Sequence, residues 1–428
     1  MITNVKALEI LDSRGIPTIE VELELDNQFI GCAKVPSGTS TGKYEALEIR
    51  DTLSKHYFGK GVASCVNKIN TSIKKHLLNK EFTSASELDQ FLIHLDGTKN
   101  KSKLGANTIL AISLSFVDAL AKKHNNPIYK YIGGENATYL PVPMMNLING
   151  GSHANNEIDF QEYMLVPYGF KTFKDALRAS AEVFQTLQKH LKELNHITSV
   201  GLEGGFAPNC IDNEEPLNLL IEAIEKAGYK PYKHFGISLD VAASELYDKE
   251  EKTYKINKRK YTSDELIEYY EYLVETYPIL SIEDGLDETD YEGWKKLTAK
   301  LKDKTILVGD DLFVTNKELL SFGINEKIAN SILIKLNQIG SFSETIETIN
   351  LAKDHNYTPI ISHRSGETED TFIADLSVGI SSPLIKSGSL SRSERTAKYN
   401  RLLKIEDNLT NPIYQGENKI FDNIKKRG

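Results

Sequence analysis

Six short apolar runs in the second half of the sequence each end in a polar or ionisable residue. Such runs are typical of strands buried on both faces, and most of the end residues lie 23 to 28 positions from the next, which suits one β-strand plus one helix. In a barrel of parallel strands, these residues would converge on the carboxyl-terminal face, where such folds place their chemistry. A solvated strand end explains any one of them, but six in register favour a site. They are Asp240, Glu283, Asp310, Lys335, His363 and Lys386.

Three of these residues are carboxylates, namely Asp240, Glu283 and Asp310. Bringing three anions together is unfavourable unless a cation lies among them. A ligand set made only of oxygen atoms, without paired histidines or cysteines, favours a hard ion such as Mg²⁺. The sequence therefore predicts a Mg²⁺ site, and the alternative is an exposed rim of acids.

Lys335 ends the strongly apolar run in "NSILIKLNQIGS". If this lysine faces a metal-filled pocket, we expect burial and cationic neighbours to lower its pKa, so that it can take a proton from carbon. Proton abstraction next to a carboxylate creates an enolate dianion, which positive charge must stabilise. The alternative is a surface lysine whose aliphatic stem lies along apolar neighbours.

Two further segments supply acids and hydrogen-bond donors. The segment "NGGSHANNEIDFQEYM" contains His153, Gln161 and Glu162, and "GLEGGFAPN" contains Glu203. A carboxyl group that stays protonated in a crowded acidic site could donate its proton to a departing hydroxyl group. The alternatives are turn chemistry for the glycine pairs and a structural role for His153.

Two polar segments are suited to phosphate. The stretch "SGTSTGKY" lacks the spacing of a nucleotide-binding P-loop, which argues against a kinase or NTPase. Its Ser40 could reach a metal or a phosphate, or the stretch is a flexible connector. The stretch "SHRSGET" joins His363, Arg364 and Ser365, and a guanidinium beside a hydroxyl suits phosphate, although a polar turn would look the same.

The elements that would position these residues fall into two parts. Three β-rich runs in the first 35 residues, "NVKALEI", "PTIEVELEL" and "FIGCAKV", predict an antiparallel meander. Helical patterns follow, including "GANTILAISLSFVDALAKKH". The proline-bounded stretch "YLPVPMMNLING" changes the character of the sequence, and β-strands then alternate with helices. We expect one domain over residues 1–136 and an α/β domain over residues 137–428.

The composition of the 428 residues excludes several classes of protein. Hydrophobic residues make up 40% and charged residues 26%, with a formal charge of -9, so neither nucleic acid nor a membrane is an expected partner. The chain has no long apolar run typical of a signal peptide or a membrane span. The three cysteines, Cys32, Cys65 and Cys210, have no metal-ligand spacing and fit a reducing cytoplasm. A secreted or surface pool that needs no signal would leave no mark in the sequence.

Ten segments in one order, from about residue 5 to about 408, resemble the enolase family of glycolytic 2-phosphoglycerate dehydratases (phosphopyruvate hydratases). They are "DSRGIPT", "PSGTSTG", "NGGSHA", "QEYM", "EGGFAPN", "SIEDGLDE", "GDDLFVTN", "SILIKLNQIGS", "ISHRSGETED" and "SRSERTAKYN". The resemblance implies a lyase that dehydrates 2-phosphoglycerate reversibly to phosphoenolpyruvate, in glycolysis and gluconeogenesis. It also implies an N-terminal α+β cap domain and an enolase-type modified TIM barrel whose first strands are not all parallel.

The resemblance also implies roles for single residues, with two Mg²⁺ ions per active site and a lysine base as the general pattern of the family. The first Mg²⁺ would be held by Asp240, Glu283 and Asp310, and the second by Ser40. The base would be Lys335, and the acid would be Glu203 with Glu162 beside it. Substrate would be bound by Gln161, Arg364, Ser365 and Lys386, while His153 and His363 complete the site. Family members form homodimers or octamers of dimers.

Two positions depart from the family pattern. The family usually has asparagine where Ile16 stands and aspartate where Leu202 stands, next to the proposed acid. The alternatives to a glycolytic enzyme are a paralogue that acts on a related phosphorylated or phosphonylated acid, and an enolase-like surface or scaffold binding protein.

Overall fold

The computed structural model describes residues 1–38 and 42–427. The chain begins with an antiparallel sheet of β1 (Ile2–Leu11), β2 (Pro17–Leu25) and β3 (Phe29–Lys34), which confirms the predicted meander. The buried face of this sheet packs on the helix Ala106–Lys123. At Gly31, an added Cβ would stand 1.9 Å from the carbonyl oxygen of Ser115 in that helix, so only glycine permits this packing.

The helices of the first part follow the sheet in the chain. The longest, Ala106–Lys123, confirms the helix predicted from its apolar pattern, and it is buried along most of its length. The others pack around it and against the sheet, and one π-helical turn, Ile69–Ile73, lies between two of them. These helices are Ala63–Lys68, Lys74–Leu77, Ala85–Asp96 and Ile128–Gly133.

The second part is a closed barrel of eight strands, β4 to β11, arranged in chain order with β11 paired to β4. The strands pair in parallel except that β5 runs antiparallel to both of its neighbours. The predicted α/β class and the predicted exception to parallel order among the first strands are therefore confirmed. The strands are β4 (Val142–Asn149), β5 (Glu162–Val166), β6 (Gly236–Asp240), β7 (Ile279–Glu283), β8 (Ile306–Gly309), β9 (Ser331–Ile334), β10 (Thr358–Ser362) and β11 (Leu384–Lys386).

The barrel strands are buried almost throughout, which explains why their sequences are apolar without alternation. Helices cover the outside of the barrel and supply the longer stretches between the strands. Most are amphipathic, whereas Phe372–Gly379 is buried along its whole length. The larger helices are Phe173–Glu193, Glu215–Lys226, Ser263–Thr276, Tyr291–Leu301, Lys317–Glu326, Phe342–Asp354, Phe372–Gly379 and Ser393–Asn408, and the short ones are Leu336–Ile339 and Asp422–Lys425.

The reversed direction of β5 has a direct effect on the site. Because β5 is antiparallel, its first residue lies beside the last residues of its neighbours, and Glu162 pairs with Asn149 of β4 and Asp240 of β6. An acid at the start of a strand thus joins acids at the ends of other strands.

Small sheets lie outside the barrel. Tyr139–Leu140 pairs with Ile413–Tyr414 in parallel, and Tyr247–Asp248, Thr253–Ile256 and Arg259–Tyr261 form an antiparallel sheet. Among the described residues, the helices lack the combination of length and apolar character that crossing a bilayer requires.

Candidate active site

All six residues that end the apolar runs lie at the carboxyl-terminal face of the barrel. Asp240, Glu283 and Lys386 are the last residues of β6, β7 and β11. The other three, Asp310, Lys335 and His363, directly follow β8, β9 and β10. Except for Glu283, they line one narrow cavity, with about 50 Å³ of space open to water. The cavity is also lined by His153, Gln161, Glu162, Glu203, Arg364 and Ser365, so the predicted site residues that the structure describes come together.

Lys386 lies at the centre of three buried carboxylates. Its Nζ is 2.9 Å from Glu283, 3.0 Å from Asp240 and 3.3 Å from Glu162. Burial opposes the charge of Lys386, but the three carboxylates outweigh this effect and hold the pKa of the lysine well above its usual value. Glu283, which lies beside Lys386, is thereby brought into the site although it does not line the cavity.

Lys335 forms an ion pair with Asp310. Asp310 also accepts a hydrogen bond from Nε2 of Gln338 at 2.8 Å. Burial by itself would lower the pKa of Lys335, but the charge of Asp310 holds the pKa above its usual value. The neighbouring carboxylate dominates in this arrangement, and the lowered pKa expected of a lysine that faces a metal-filled pocket stays a prediction.

The donor set fits a divalent cation. Four buried carboxylates, Asp240, Glu283, Asp310 and Glu162, share ion pairs with two ammonium groups, those of Lys335 and Lys386. Glu162 Oε2 is buried and has no hydrogen-bond partner among the described residues. Burial, followed by the charge of Asp240, raises the pKa of Glu283 well above its usual value. Excess negative charge and an unpaired oxygen are what a bound Mg²⁺ would relieve.

Sequence reasoning missed two acids beside this set, Asp284 and Asp311. With Asp310 they form a group whose ligand atoms lie within 4.8 Å of one another. Asp284 accepts hydrogen bonds from the backbone N–H groups of Asp310 and Asp311, both at 2.9 Å, and so holds the loop after β8 in place. Burial, with the charge of Asp310, raises the pKa of Asp311 to about 7. The signal was present, since each acid is the second of a doublet in "SIEDGLDE" and "GDDLFVTN".

Glu203 and Glu162 form a second acidic group with His153. Nδ1 of His153 lies 3.6 Å from Glu162 and 3.8 Å from Glu203. Burial and the charge of Glu203 raise the pKa of Glu162 well above its usual value. Burial would also raise the pKa of Glu203, but His363, His153 and Arg395 outweigh it and hold that pKa well below the usual value. The opposite directions of these pKa shifts make Glu162 the more readily protonated member of the pair.

Close backbone packing positions the loop that carries Glu203. A Cβ at Gly204, where φ is +88°, would lie 2.3 Å from the carbonyl oxygen of Ser391. A Cβ at Gly205 would lie 2.6 Å from the carbonyl oxygen of Asn146. Nδ2 of Asn146, which the sequence analysis did not identify, donates a hydrogen bond to Glu203 at 3.2 Å. The glycine pair thus lets the acid approach β4.

The guanidinium of Arg364 is paired with Glu45, another acid that the sequence analysis missed. The closest contact, between Arg364 Nη1 and Glu45 Oε2, is 3.0 Å, and both side chains are buried. Nη1 also donates to Oδ1 of Asn337 at 3.2 Å. Ser365 lies beside them on the cavity wall. Ser40, the predicted ligand of a second ion, lies outside the described residues.

Gln161 lines the cavity and contacts Asp240. Its Nε2 donates to Oδ2 of Asp240 at 3.2 Å, and its Oε1 accepts from the hydroxyl of Ser152 at 2.8 Å. A side chain held in this way orients the carboxylate of Asp240.

A closed α/β barrel with buried acids and lysines at the carboxyl ends of its strands defines a class of enzyme that performs metal-assisted acid–base chemistry. Comparison with known proteins agrees. Residues 2–132 match the model described as enolase, N-terminal domain, and residues 137–423 match enolase, C-terminal TIM barrel domain. The enolase of Helicobacter pylori (strain J99) is 54% identical over 417 residues, which cover 97% of this chain and 98% of that protein.

The chain belongs to the enolase family. Membership confirms the predicted fold class and the predicted class of enzyme, a hydro-lyase of glycolysis that dehydrates 2-phosphoglycerate to phosphoenolpyruvate. Dependence on Mg²⁺ is the general property of the family, and the acidic groups described above could hold the ion.

Proposed function

We propose that Lys335 and the Glu162–Glu203 pair carry the two proton transfers of the dehydration. Lys335 Nζ takes the proton as the C2–H bond of 2-phosphoglycerate breaks, and the electron pair becomes part of an enolate dianion. The electrons then form the C2–C3 double bond, the C3–O bond breaks, and the hydroxide leaves as water with a proton from the carboxyl pair. The observation that carries the proposal is that Lys335 and both glutamates line the same cavity.

We propose that Asp240, Glu283 and Asp310 hold the first of two Mg²⁺ ions, and that Ser40 reaches the second. Bound there, Mg²⁺ would supply positive charge beside the developing enolate. Asp310, once it served as a metal ligand, would release Lys335 to act as a base. The buried excess of carboxylates over ammonium groups supports the first ion. The assignment of Ser40 rests on the resemblance alone.

The remaining roles concern binding of the substrate. We assign the substrate phosphate to Arg364 and Ser365, since a guanidinium beside a hydroxyl suits this group. We assign the substrate carboxylate to Lys386, with Gln161 orienting Asp240 beside it. His153 and His363 close the site around the carboxyl pair. These side chains line the same cavity, which supports the assignment.

We also propose the wider organisation of the protein. The cap domain comprises residues 1–136 and the barrel domain comprises residues 137–428, and the chain assembles as a homodimer or an octamer of dimers in the cytoplasm. Cys32, Cys65 and Cys210 are free thiols in the structure, which supports a reducing compartment. Sedimentation of the purified protein at several concentrations would distinguish the dimer from the octamer.

The decisive experiment measures formation of phosphoenolpyruvate from 2-phosphoglycerate by absorbance, with Mg²⁺ and after chelation. We expect robust turnover that depends on Mg²⁺ and disappears in Lys335→Met. Absence of turnover in a folded protein that binds Mg²⁺ would contradict the proposal, and would favour a related phosphorylated or phosphonylated acid as substrate, or a binding role.

A further inference from the structure

Arg395 is a fully buried arginine on the helix Ser393–Asn408, and it does not line the cavity. Its guanidinium nevertheless contacts two segments that carry residues of the proposed site. Nη1 lies 2.6 Å from Nδ1 of His363, and Nη2 donates to the carbonyl oxygen of Leu202, next to Glu203, at 3.2 Å. Further donations go to the carbonyl oxygens of Arg364 at 2.7 Å and Ser365 at 2.6 Å.

The contact with His363 determines the tautomer of the imidazole. A guanidinium has N–H donors and no acceptor, and it stays protonated in proteins. A ring nitrogen 2.6 Å from Arg395 Nη1 must therefore accept, so Nδ1 of His363 carries no proton. In a neutral imidazole the proton then lies on Nε2, and this atom is 3.4 Å from Oε2 of Glu203.

We propose that Arg395 is a positioning residue that fixes His363 as the Nε2–H tautomer and thereby aims an N–H donor at the carboxylate of Glu203. The inference rests on the proposed function in one respect, namely that Glu203 and Glu162 assist the departing hydroxide. His363 is then a hydrogen-bond donor in the leaving-group step and does not transfer the proton itself.

The surroundings of His363 agree with a neutral ring. Burial, with a smaller effect of Arg395, lowers the pKa of His363 to about 4 against the opposing charges of Glu203 and Glu367. The carboxylate of Glu367 is in turn paired with Lys398 at 2.8 Å, which weakens its pull on a proton. At neutral pH the imidazole therefore has one N–H, and the position of that N–H decides what it can do.

The same geometry explains why an arginine is required. The three donors of a lysine leave from a single nitrogen, whereas the fork of the guanidinium reaches the histidine and three carbonyl oxygens at once. Arg395 thus links the tautomer of His363 to the backbone positions of Leu202 and Ser365, which flank the proposed acid and phosphate sites.

The direct test is ¹⁵N NMR of the histidine side chains at neutral pH, with His363→Gln used to assign the signal. We expect the Nδ1 of His363 to have the shift of an unprotonated acceptor and Nε2 that of an N–H. In Arg395→Met we expect a shift towards the Nδ1–H tautomer. A wild-type ring protonated on Nδ1, or a tautomer that Arg395→Met leaves unchanged, would overturn the proposal. This result does not depend on turnover, so it is separable from failure of the proposed function.

The kinetic test compares exchange of the C2 proton with formation of product. A merely structural role would slow both steps together. We expect Arg395→Met to reduce product formation about tenfold or more while C2 exchange falls less than about threefold. Arg395→Lys should recover part of the product rate. Equal losses in both steps would contradict a role in the leaving-group step.

A matched pair at His363 covers the case in which Arg395 variants do not fold. The amide of glutamine can place an N–H donor near the position of Nε2, whereas the amide of asparagine occupies the position of Nδ1 and leaves the Glu203 side without a donor. We expect His363→Gln to keep about tenfold more product formation than His363→Asn. The reverse order would refute the assignment of the donor.

Discussion

Replacement of Lys386 by methionine would leave three buried carboxylates without their shared ammonium group. Nζ of Lys386 lies 2.9 Å from Glu283, 3.0 Å from Asp240 and 3.3 Å from Glu162, and the lysine side chain is only 4% exposed. Removing one partner of a buried ion pair costs about 3–5 kcal/mol, because the remaining charge has lost both water and its partner. We expect the free energy of unfolding in EDTA to fall by about this amount.

The loss of unfolding free energy does not scale with the number of carboxylates that Lys386 contacts. A single pair at 3 Å with an effective dielectric constant of 20 gives about 5 kcal/mol, and three such terms would overstate the effect. Protonation of the carboxylates limits the destabilisation, since burial already raises the pKa values of Glu283 and Glu162 well above their usual range. The destabilisation should therefore shrink as the pH falls and the orphaned carboxylates become neutral.

Magnesium should reverse much of this loss. Lys386 competes with a cation for Asp240 and Glu283, so its removal should strengthen Mg²⁺ binding, and binding to the folded state adds stability by mass action. The assay is denaturant unfolding of wild type and Lys386→Met in EDTA and in excess Mg²⁺. We expect the difference between the two proteins to be largest in EDTA.

Lys398→Met is the matched control. Lys398 is 1% exposed and donates to Glu367 at 2.8 Å, and to the carbonyl oxygens of Thr368 and Glu394 at 2.6 and 2.7 Å. Its loss should destabilise the protein by a similar amount, but without recovery in Mg²⁺, because Glu367 is not among the proposed metal ligands. Equal responses of the two variants to Mg²⁺ would refute the assignment of the ion to the carboxylates around Lys386.

Three further changes test other parts of the site and the fold. Lys335→Met should abolish exchange of the C2 proton without weakening Mg²⁺ binding, as measured by calorimetry, because the lysine competes with the ion for Asp310 and is not a metal ligand. Weaker Mg²⁺ binding in the variant would instead make Lys335 part of the metal site. Glu45→Gln removes the anion paired with Arg364 and should therefore lower the inhibition constant of inorganic phosphate about tenfold. An unchanged constant would mean that Glu45 does not compete with phosphate for Arg364. Burial raises the pKa of Asp89 from 3.8 to about 6, so the folded protein binds a proton at this carboxyl group more tightly than the unfolded chain does. The folded protein therefore loses stability as the pH rises from about 4 to about 6. Asp89→Asn should remove that loss and raise the free energy of unfolding at pH 7, measured with denaturant, by up to about 3 kcal/mol. If the free energies of unfolding of the two proteins changed in parallel with pH, this expectation would be contradicted.

The barrel strands with site residues at their ends could be predicted because the signal is local. A run such as "SILI" before Lys335 has no polar residue to place on a solvent face, so its burial and its end are visible in the sequence. The reversed direction of β5 could not be inferred from its residues. The apolar run in "EYMLV" suits a buried strand whether the strand pairs in parallel or antiparallel. Only the resemblance pointed to it.

The missed site residues have partners that are distant in the sequence. Glu45 lies 319 positions from Arg364, and Asn146 lies 57 positions from Glu203. No periodicity or spacing brings such pairs together before the fold is known. The ion pair of Lys335 with Asp310 was missed for the same reason, since burial could be inferred from the strand but this contact required the closed barrel.

The two departures from the family pattern lie where the backbone contributes the contact. The carbonyl oxygen of Leu202 accepts from Arg395 at 3.2 Å, and any residue at this position supplies that oxygen. Ile16 donates its backbone N–H to Oδ1 of Asp12 at 3.0 Å and accepts from the backbone N–H of Asp12 at 2.8 Å. Because neither contact uses the side chain, leucine and isoleucine preserve both. His363, His153 and Arg395 hold the pKa of Glu203 low against the effect of burial, so these neighbours control the acid without an anion at position 202.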